Sequence, residues 1–280
     1  MPLIDANGVE LYYEEEGSGT PLLLIMGLGA SLETWVAQRL AFAERHRVIA
    51  FDNRGAGRSA TPPPPWTVAA MAADAVALLD ALGIARAHLL GVSMGGMIAQ
   101  EIAIRHPERV ASLVVAMSFS RPEPVRRTFL LHRRWVRLQG GDAVADSIAS
   151  LPWLLAPASM RDGARLESVL ALTASMPFMS AEAYSHQVDA IIEHTTRERL
   201  HLVRAPTLVL AAAEDVLTPI FLSEEIVAAI PGARLEVLPR GGHAALVEYP
   251  DDFNRAVLAW LEARTKENPD SLGGDVPPRR

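Results

Sequence analysis

The sequence predicts an α/β domain: a mostly parallel, doubly covered sheet interrupted by an inserted helical lid. Three observations carry this. Short apolar runs, such as the continuous run 22–26 and the strand 110–117, whose only polar residue is Ser112, have strand length and no regular polar alternation, as strands buried on both faces require. These runs alternate with segments at helical spacing, the rhythm of a parallel sheet with crossover helices. The rhythm stops over 119–203 and resumes at 205.

The elements follow in order. Residues 2–5 and 9–14 flank Ala6-Asn7-Gly8, and Asn-Gly is a strong hairpin signal. After a second turn at 17–21, the buried strand 22–26 ends in Gly27-Leu28-Gly29-Ala30-Ser31. A short helix over 35–42 and a strand over 47–51 come next. That strand runs into Asp52-Asn53-Arg54-Gly55-Ala56-Gly57-Arg58-Ser59. Prolines at 62–65 make a stiff connector. Thr67 caps a helix over 68–82, in which Met71, Ala75, Leu78, Leu79 and Leu82 fall at helical spacing, and Gly83 stops it. The strand 87–90 then meets Gly91-Val92-Ser93-Met94-Gly95-Gly96, and 97–104 is amphipathic.

Beyond the strand 110–117, the composition is helical, and Pro122, Pro124, Pro152, Pro157 and Pro177 cut it into short pieces. Its apolar content exceeds that of a solvated linker, so 119–203 reads as a lid over the carboxyl edge of the sheet. A strand over 205–211, a helix to 230, a strand over 233–238 and a helix over 250–264 complete the chain. The core therefore comprises 1–118 and 204–265. The polar stretch 266–280, with Gly273-Gly274 and Pro277-Pro278, reads as a disordered tail.

Composition narrows the function. A chain of 280 residues, half of them hydrophobic, can bury one large core. A net charge of −7 without a basic cluster argues against nucleic acid as a partner. No apolar run approaches the ~18 residues of a membrane span. With no charged n-region or apolar h-region at the start, the expected location is the cytoplasm. Zero cysteines exclude disulfides, thiolate metal sites and cysteine nucleophiles. No metal site and no cofactor is implied.

The chemistry concentrates at Ser93. Strand, tight turn and helix around G-x-S-x-G make the context of a nucleophile elbow, where small residues are needed two before and two after the serine; Gly91 and Gly95 provide them. A serine hydroxyl needs an adjacent base, and an imidazole needs a carboxylate to hold its tautomer. Sites in open parallel sheets form beyond the carboxyl ends of strands. Of eight histidines, His243 alone sits in a Gly-rich loop just after a strand. Glu214 and Asp215 both follow the strand 205–211, and Asp215 lies deeper in its loop. The order Ser93, Asp215, His243 results. For a developing oxyanion, the backbone N–H groups of Met94 and Leu28 are the candidate donors.

These motifs resemble the α/β-hydrolase family over residues 8–265. They are Met26-Gly27-Leu28-Gly29, the Asp52–Ser59 loop, Gly91-Val92-Ser93-Met94-Gly95-Gly96, Glu214-Asp215-Val216-Leu217-Thr218-Pro219 and Gly242-His243. The chain is most similar to 3-oxoadipate enol-lactonases, cofactor-free haloperoxidases and carboxylesterases of the aclacinomycin-methylesterase type. The resemblance implies Ser93 as nucleophile, Asp215 as acid, His243 as base, and Leu28 and Met94 as oxyanion donors. Where many members carry His before the Gly of the oxyanion loop, this chain has Met26.

The expected activity is therefore hydrolysis of a small ester or lactone through an acyl-enzyme. The same triad also serves C–C bond hydrolysis or perhydrolysis, and a receptor on this fold is the non-enzymatic alternative. Dehalogenase and epoxide-hydrolase chemistry would need Asp at the elbow. The apolar lid points to an apolar substrate, with Trp35, Trp153, Phe178 and Met179 as expected pocket walls. No fixed cation for a substrate carboxylate is obvious, which disfavours a strict enol-lactonase; Arg121, Arg126 and Arg127 at the start of the lid are the candidates that would overturn this.

Overall fold

The computed structural model describes residues 3–267. Its strands are β1 (Leu3–Ala6), β2 (Val9–Glu16), β3 (Thr20–Ile25), β4 (His46–Phe51), β5 (Ala87–Val92), β6 (Val110–Ala116), β7 (Thr207–Ala212) and β8 (Arg234–Leu238). They form one sheet in the order β1-β2-β4-β3-β5-β6-β7-β8. The β1–β2 and β2–β4 pairs are antiparallel, and every pair from β4 to β8 is parallel. The opening hairpin turns at Asn7 and Gly8, with φ of 59° and 73°, the left-handed pair that a tight hairpin turn needs.

The core helices are α1 (Val36–Phe42), α2 (Val68–Ala81) and α3 (Met94–Arg105). The insertion holds α4 (Pro124–Leu138), α5 (Ala143–Ala149), α6 (Leu151–Leu154), α7 (Pro157–Arg161), α8 (Gly163–Ser175) and α9 (Ala181–Ile192). After β7 come α10 (Ile220–Ala229), α11 (Ala245–Glu248) and α12 (Pro250–Glu267). The continuous apolar runs divide by side-chain parity. Leu23, Ile25 and Leu89 face one core with residues of α2 and α3, while Leu22, Leu24 and Leu90 face the other with residues of α1 and α12. Both faces are covered, so neither set could be polar.

The insertion contains helices and no strand among its described residues, and the prolines account for its segmentation. Pro124, Pro152 and Pro157 each stand in the first turn of a helix, where the missing N–H has no intrahelical acceptor to lose. The insertion does not have a core wholly its own. Leu151, Leu155 and Val169 make a small local cluster, but Phe129, Leu130, Met179, Tyr184 and Val188 join the core shared with the sheet. At the C-terminus, α12 runs two residues past the boundary at 265; the remainder of the expected tail lies outside the described residues. Among the described residues, no helix is long and apolar enough to cross a membrane.

One buried ion pair ties the carboxyl-edge loop after β4 to α2. The Nε and Nη2 of Arg54 donate to the two oxygens of Asp74, both at 2.7 Å, and Asn7 donates to the same carboxylate at 2.8 Å. Both partners are buried, so removing one leaves an uncompensated charge. Arg54→Met is expected to lower the unfolding free energy by about 3–5 kcal/mol in urea titrations, and adding Asp74→Leu to recover part of it.

Candidate active site

Ser93 occupies the single position between β5 and α3, with φ 56° and ψ −118°. A left-handed non-glycine residue is strained and persists only where its surroundings hold it. Here the Ser93 N–H donates to the Ala116 carbonyl at 3.0 Å, and the Ser118 hydroxyl donates to the Ser93 carbonyl at 2.7 Å. The turn also demands close approach of three backbones. A Cβ on Gly91 would collide with the Gly95 carbonyl, and one on Gly95 with the Ile25 carbonyl of β3. Both glycines are therefore steric requirements of the elbow.

His243 lies in the loop after β8, with Nε2 3.0 Å from Ser93 Oγ and Nδ1 2.9 Å from Asp215 Oδ2. If Nδ1–H donates to the carboxylate, Nε2 is left to accept the serine proton. Asp215 is held from the other side as well. Its Oδ1 accepts from the Leu217 and Thr218 N–H groups at 2.8 and 2.7 Å, and the Thr218 hydroxyl donates to Oδ2. Burial pushes the Asp215 carboxyl up, but His243 and Thr218 more than offset it, and its pKa lies below the ordinary carboxylate value. The histidine loop is anchored to the insertion through Glu248, which accepts from the Gly242 and Ala156 N–H groups, both at 2.7 Å. The Ala244 N–H donates to the Leu154 carbonyl at 2.9 Å.

Met94 is the first residue of α3, so its N–H has no intrahelical acceptor and lies beside Ser93. Leu28 sits in the loop after β3, where Gly27 approaches the serine: a Cβ placed on Gly27 would stand 3.1 Å from Ser93 Cβ. Met26 turns its side chain into the apolar core. Polar anchoring of this loop falls instead to Asn53, which donates to the Met26 carbonyl, and Gln187, which accepts from the Gly29 N–H, each at 3.0 Å. Gln187 also donates to the Arg54 carbonyl at 3.0 Å, joining α9 to two carboxyl-edge loops.

The four expected pocket walls separate. Phe178 borders a cavity of about 150 Å³ that also touches Leu28. Trp153 is half exposed, packs 5.2 Å from the Phe129 ring and lines a groove of about 720 Å³ within the insertion. Trp35 is a correction: it is wholly buried, with its ring 6.5 Å from Phe253, and is a core residue. Met179 is likewise buried in the core shared with the sheet. Sequence reasoning missed Thr218, Glu248, Asn53 and Gln187. Thr218 was legible in principle, because Asp-x-x-Thr is a local capping pattern. Gln187 had no sequence signal, lying 158 positions from the glycine it holds. Among the described residues, no group of three or more His, Asp or Glu is placed to hold a metal ion.

The family model described as the alpha/beta hydrolase fold matches residues 20–250. The chain belongs to the α/β-hydrolase family. It is 37% identical over 259 residues, 90% of this chain and 95% of the relative, to a Caulobacter sp. (strain K31) protein named "Putative carbamate hydrolase RutD". The enol-lactonase from Burkholderia xenovorans LB400 superimposes with a TM-score of 0.86 at 28% identity, covering 93% of this chain and all of that one. A hydrolase from Pseudomonas aeruginosa PA01 gives a TM-score of 0.82 at 33% identity, covering 92% of this chain and 96% of that one.

Because the folded-state pKa of Asp215 is depressed, its contribution to stability is present above the unfolded carboxylate value and is lost as pH falls towards the folded one. Thr218→Val removes one of the interactions that lower this pKa. Acid unfolding followed by circular dichroism is expected to begin at higher pH in the variant than in the wild type.

Proposed function

We propose that the protein is a serine hydrolase that cleaves a carboxylic ester or lactone through an acyl-enzyme. The observation that carries this is the hydrogen-bonded chain from Ser93 Oγ through His243 to Asp215, at 3.0 and 2.9 Å, next to Met94 at the start of α3 and the Gly27-Leu28 turn after β3, the candidate oxyanion donors. In this reading, His243 Nε2 takes the Ser93 proton as Oγ attacks the carbonyl carbon. The two N–H groups receive the charge that develops on the carbonyl oxygen. His243 then returns the proton to the leaving oxygen. Water, deprotonated by the same nitrogen, hydrolyses the acyl-enzyme and restores Ser93. Asp215 stays ionised throughout and stabilises the imidazolium.

The names of similar proteins span carbamate and enol-lactone hydrolysis. A Mycobacterium tuberculosis relative, 32% identical, is named "Putative non-heme bromoperoxidase BpoC". That name motivates a second reading in which hydrogen peroxide replaces water at deacylation and a peracid leaves. Both readings require Ser93.

Ser93→Ala is expected to lower kcat/KM for p-nitrophenyl butyrate by about 10⁴-fold or more, and a fluorophosphonate probe to label wild type but not the variant. Equal hydrolysis by the two proteins would refute the assignment. Asp215→Asn is expected to reduce kcat by about 10⁴-fold in the same assay, with little change in the fold.

A further inference from the structure

The cavity of about 150 Å³ beside the oxyanion loop has an unusual charge. On one side it is bounded by Leu28, which follows the glycine that approaches Ser93, and by Leu154, whose carbonyl holds the residue after His243, so it lies next to the two loops that flank Ser93 and His243. On the other side stand Arg133, Arg137 and Tyr184; its lining includes no carboxylate. Asp146 sits behind the two arginines and is shared between them. It accepts from Arg133 Nη2 and Arg137 Nε, both at 2.8 Å. One carboxylate against two guanidinium groups leaves one positive charge without a counter-charge. All three side chains are at most 12% exposed, and burying an uncompensated charge is costly unless something pairs with it.

Donors remain as well. Each guanidinium carries five N–H donors. Arg133 Nη1 bonds to nothing among the described residues, while Arg137 reaches the Met179 carbonyl and the Ser147 hydroxyl only at 3.5 Å. The Tyr184 hydroxyl is buried and has no hydrogen-bond partner. Its ring is fixed under the Arg137 guanidinium, 4.2 Å from the centroid, and against Gly29 of the oxyanion loop. None of the arginines singled out from the sequence lines this cavity: Arg121 pairs with Glu225, and Arg126 stacks on Phe119 and donates to the Arg121 carbonyl.

We propose that this cavity is an anion subsite, in which Arg133, Arg137 and the Tyr184 hydroxyl receive a carboxylate carried on the acyl arm of the substrate. The substrate would then be an acidic ester or lactone with an apolar middle, passing Phe178, and an anionic end. This rests on the serine-hydrolase reading, and it departs from the wholly apolar substrate that the composition of the lid led one to expect.

The test compares p-nitrophenyl hemiesters of succinate, glutarate and adipate with neutral p-nitrophenyl esters of matched length. For at least one length, wild type is expected to prefer the hemiester about tenfold or more in kcat/KM, expressed in KM. That ratio should fall about tenfold in Arg133→Met and Arg137→Met, and about threefold in Tyr184→Phe, with Arg137→Lys in between. Tyr184→Phe keeps the ring and both arginines, so it reads the subsite even if an arginine variant fails to fold. No hemiester preference in wild type, or a ratio that no variant moves, overturns the proposal. Hydrolysis that survives Ser93→Ala would instead count against the serine-hydrolase reading. The subsite is checked separately by the rise in Tm that glutarate induces, expected in wild type and lost in Tyr184→Phe.

Discussion

The site depends on one close approach. β5 must pass into α3 through a single residue, with the helix start pressed against the carboxyl end of β3. That packing leaves no room for a Cβ at Gly91 or Gly95. It also drives Ser93 into a left-handed conformation, which exposes its side chain at the sheet edge and puts the first free N–H of α3 beside it. The strain is held by ordinary hydrogen bonds from β6 and Ser118. The positions of the candidate nucleophile and of one candidate oxyanion donor are thus consequences of the same backbone geometry.

Everything else at the carboxyl edge is arranged to meet that point. The acid and histidine loops each leave a parallel strand, and buried acceptors and donors lock both. Thr218 holds the carboxylate of Asp215, and Glu248 holds the backbone before His243. The insertion takes part directly rather than covering the site from outside. Gln187 on α9 and the Leu154 carbonyl on α6 bond to the loop after β3 and the histidine loop respectively. An insertion so tied cannot lift as a free flap without breaking bonds that position the candidate catalytic groups. Its shared core with the sheet has the same consequence.

The Met26 position illustrates how loop geometry survives a changed side chain. A polar residue there could hydrogen-bond the loop, but Met26 packs into the apolar cluster. Asn53 and Gln187 take over by bonding the backbone on either side of Leu28. A candidate backbone donor at Leu28 does not depend on which side chain stands before it, only on the carbonyl and N–H groups around it being held.

Much was legible in the sequence because it is encoded locally. Strand runs buried on both faces, the Asn-Gly hairpin, the Thr67 cap and the G-x-S-x-G turn each express a constraint within a few residues, and the rule that sites form in loops following strands then selected Asp215 and His243. Pocket walls were not legible. Trp35 and Trp153 are the same residue type in similarly apolar surroundings, yet one is wholly buried beside Phe253 and the other lines an open groove. Nor could composition reveal that Arg133 and Arg137, one helical turn apart on α4, share a single carboxylate beside Leu28. The sequence by itself determined the elements and the order of the candidate catalytic groups, since these follow from short-range sterics and periodicity. Only the tertiary structure decided which side chains of the insertion face the site, because that depends on how six helices pack against loops far away in the chain, as far as the 158 positions between Gln187 and Gly29.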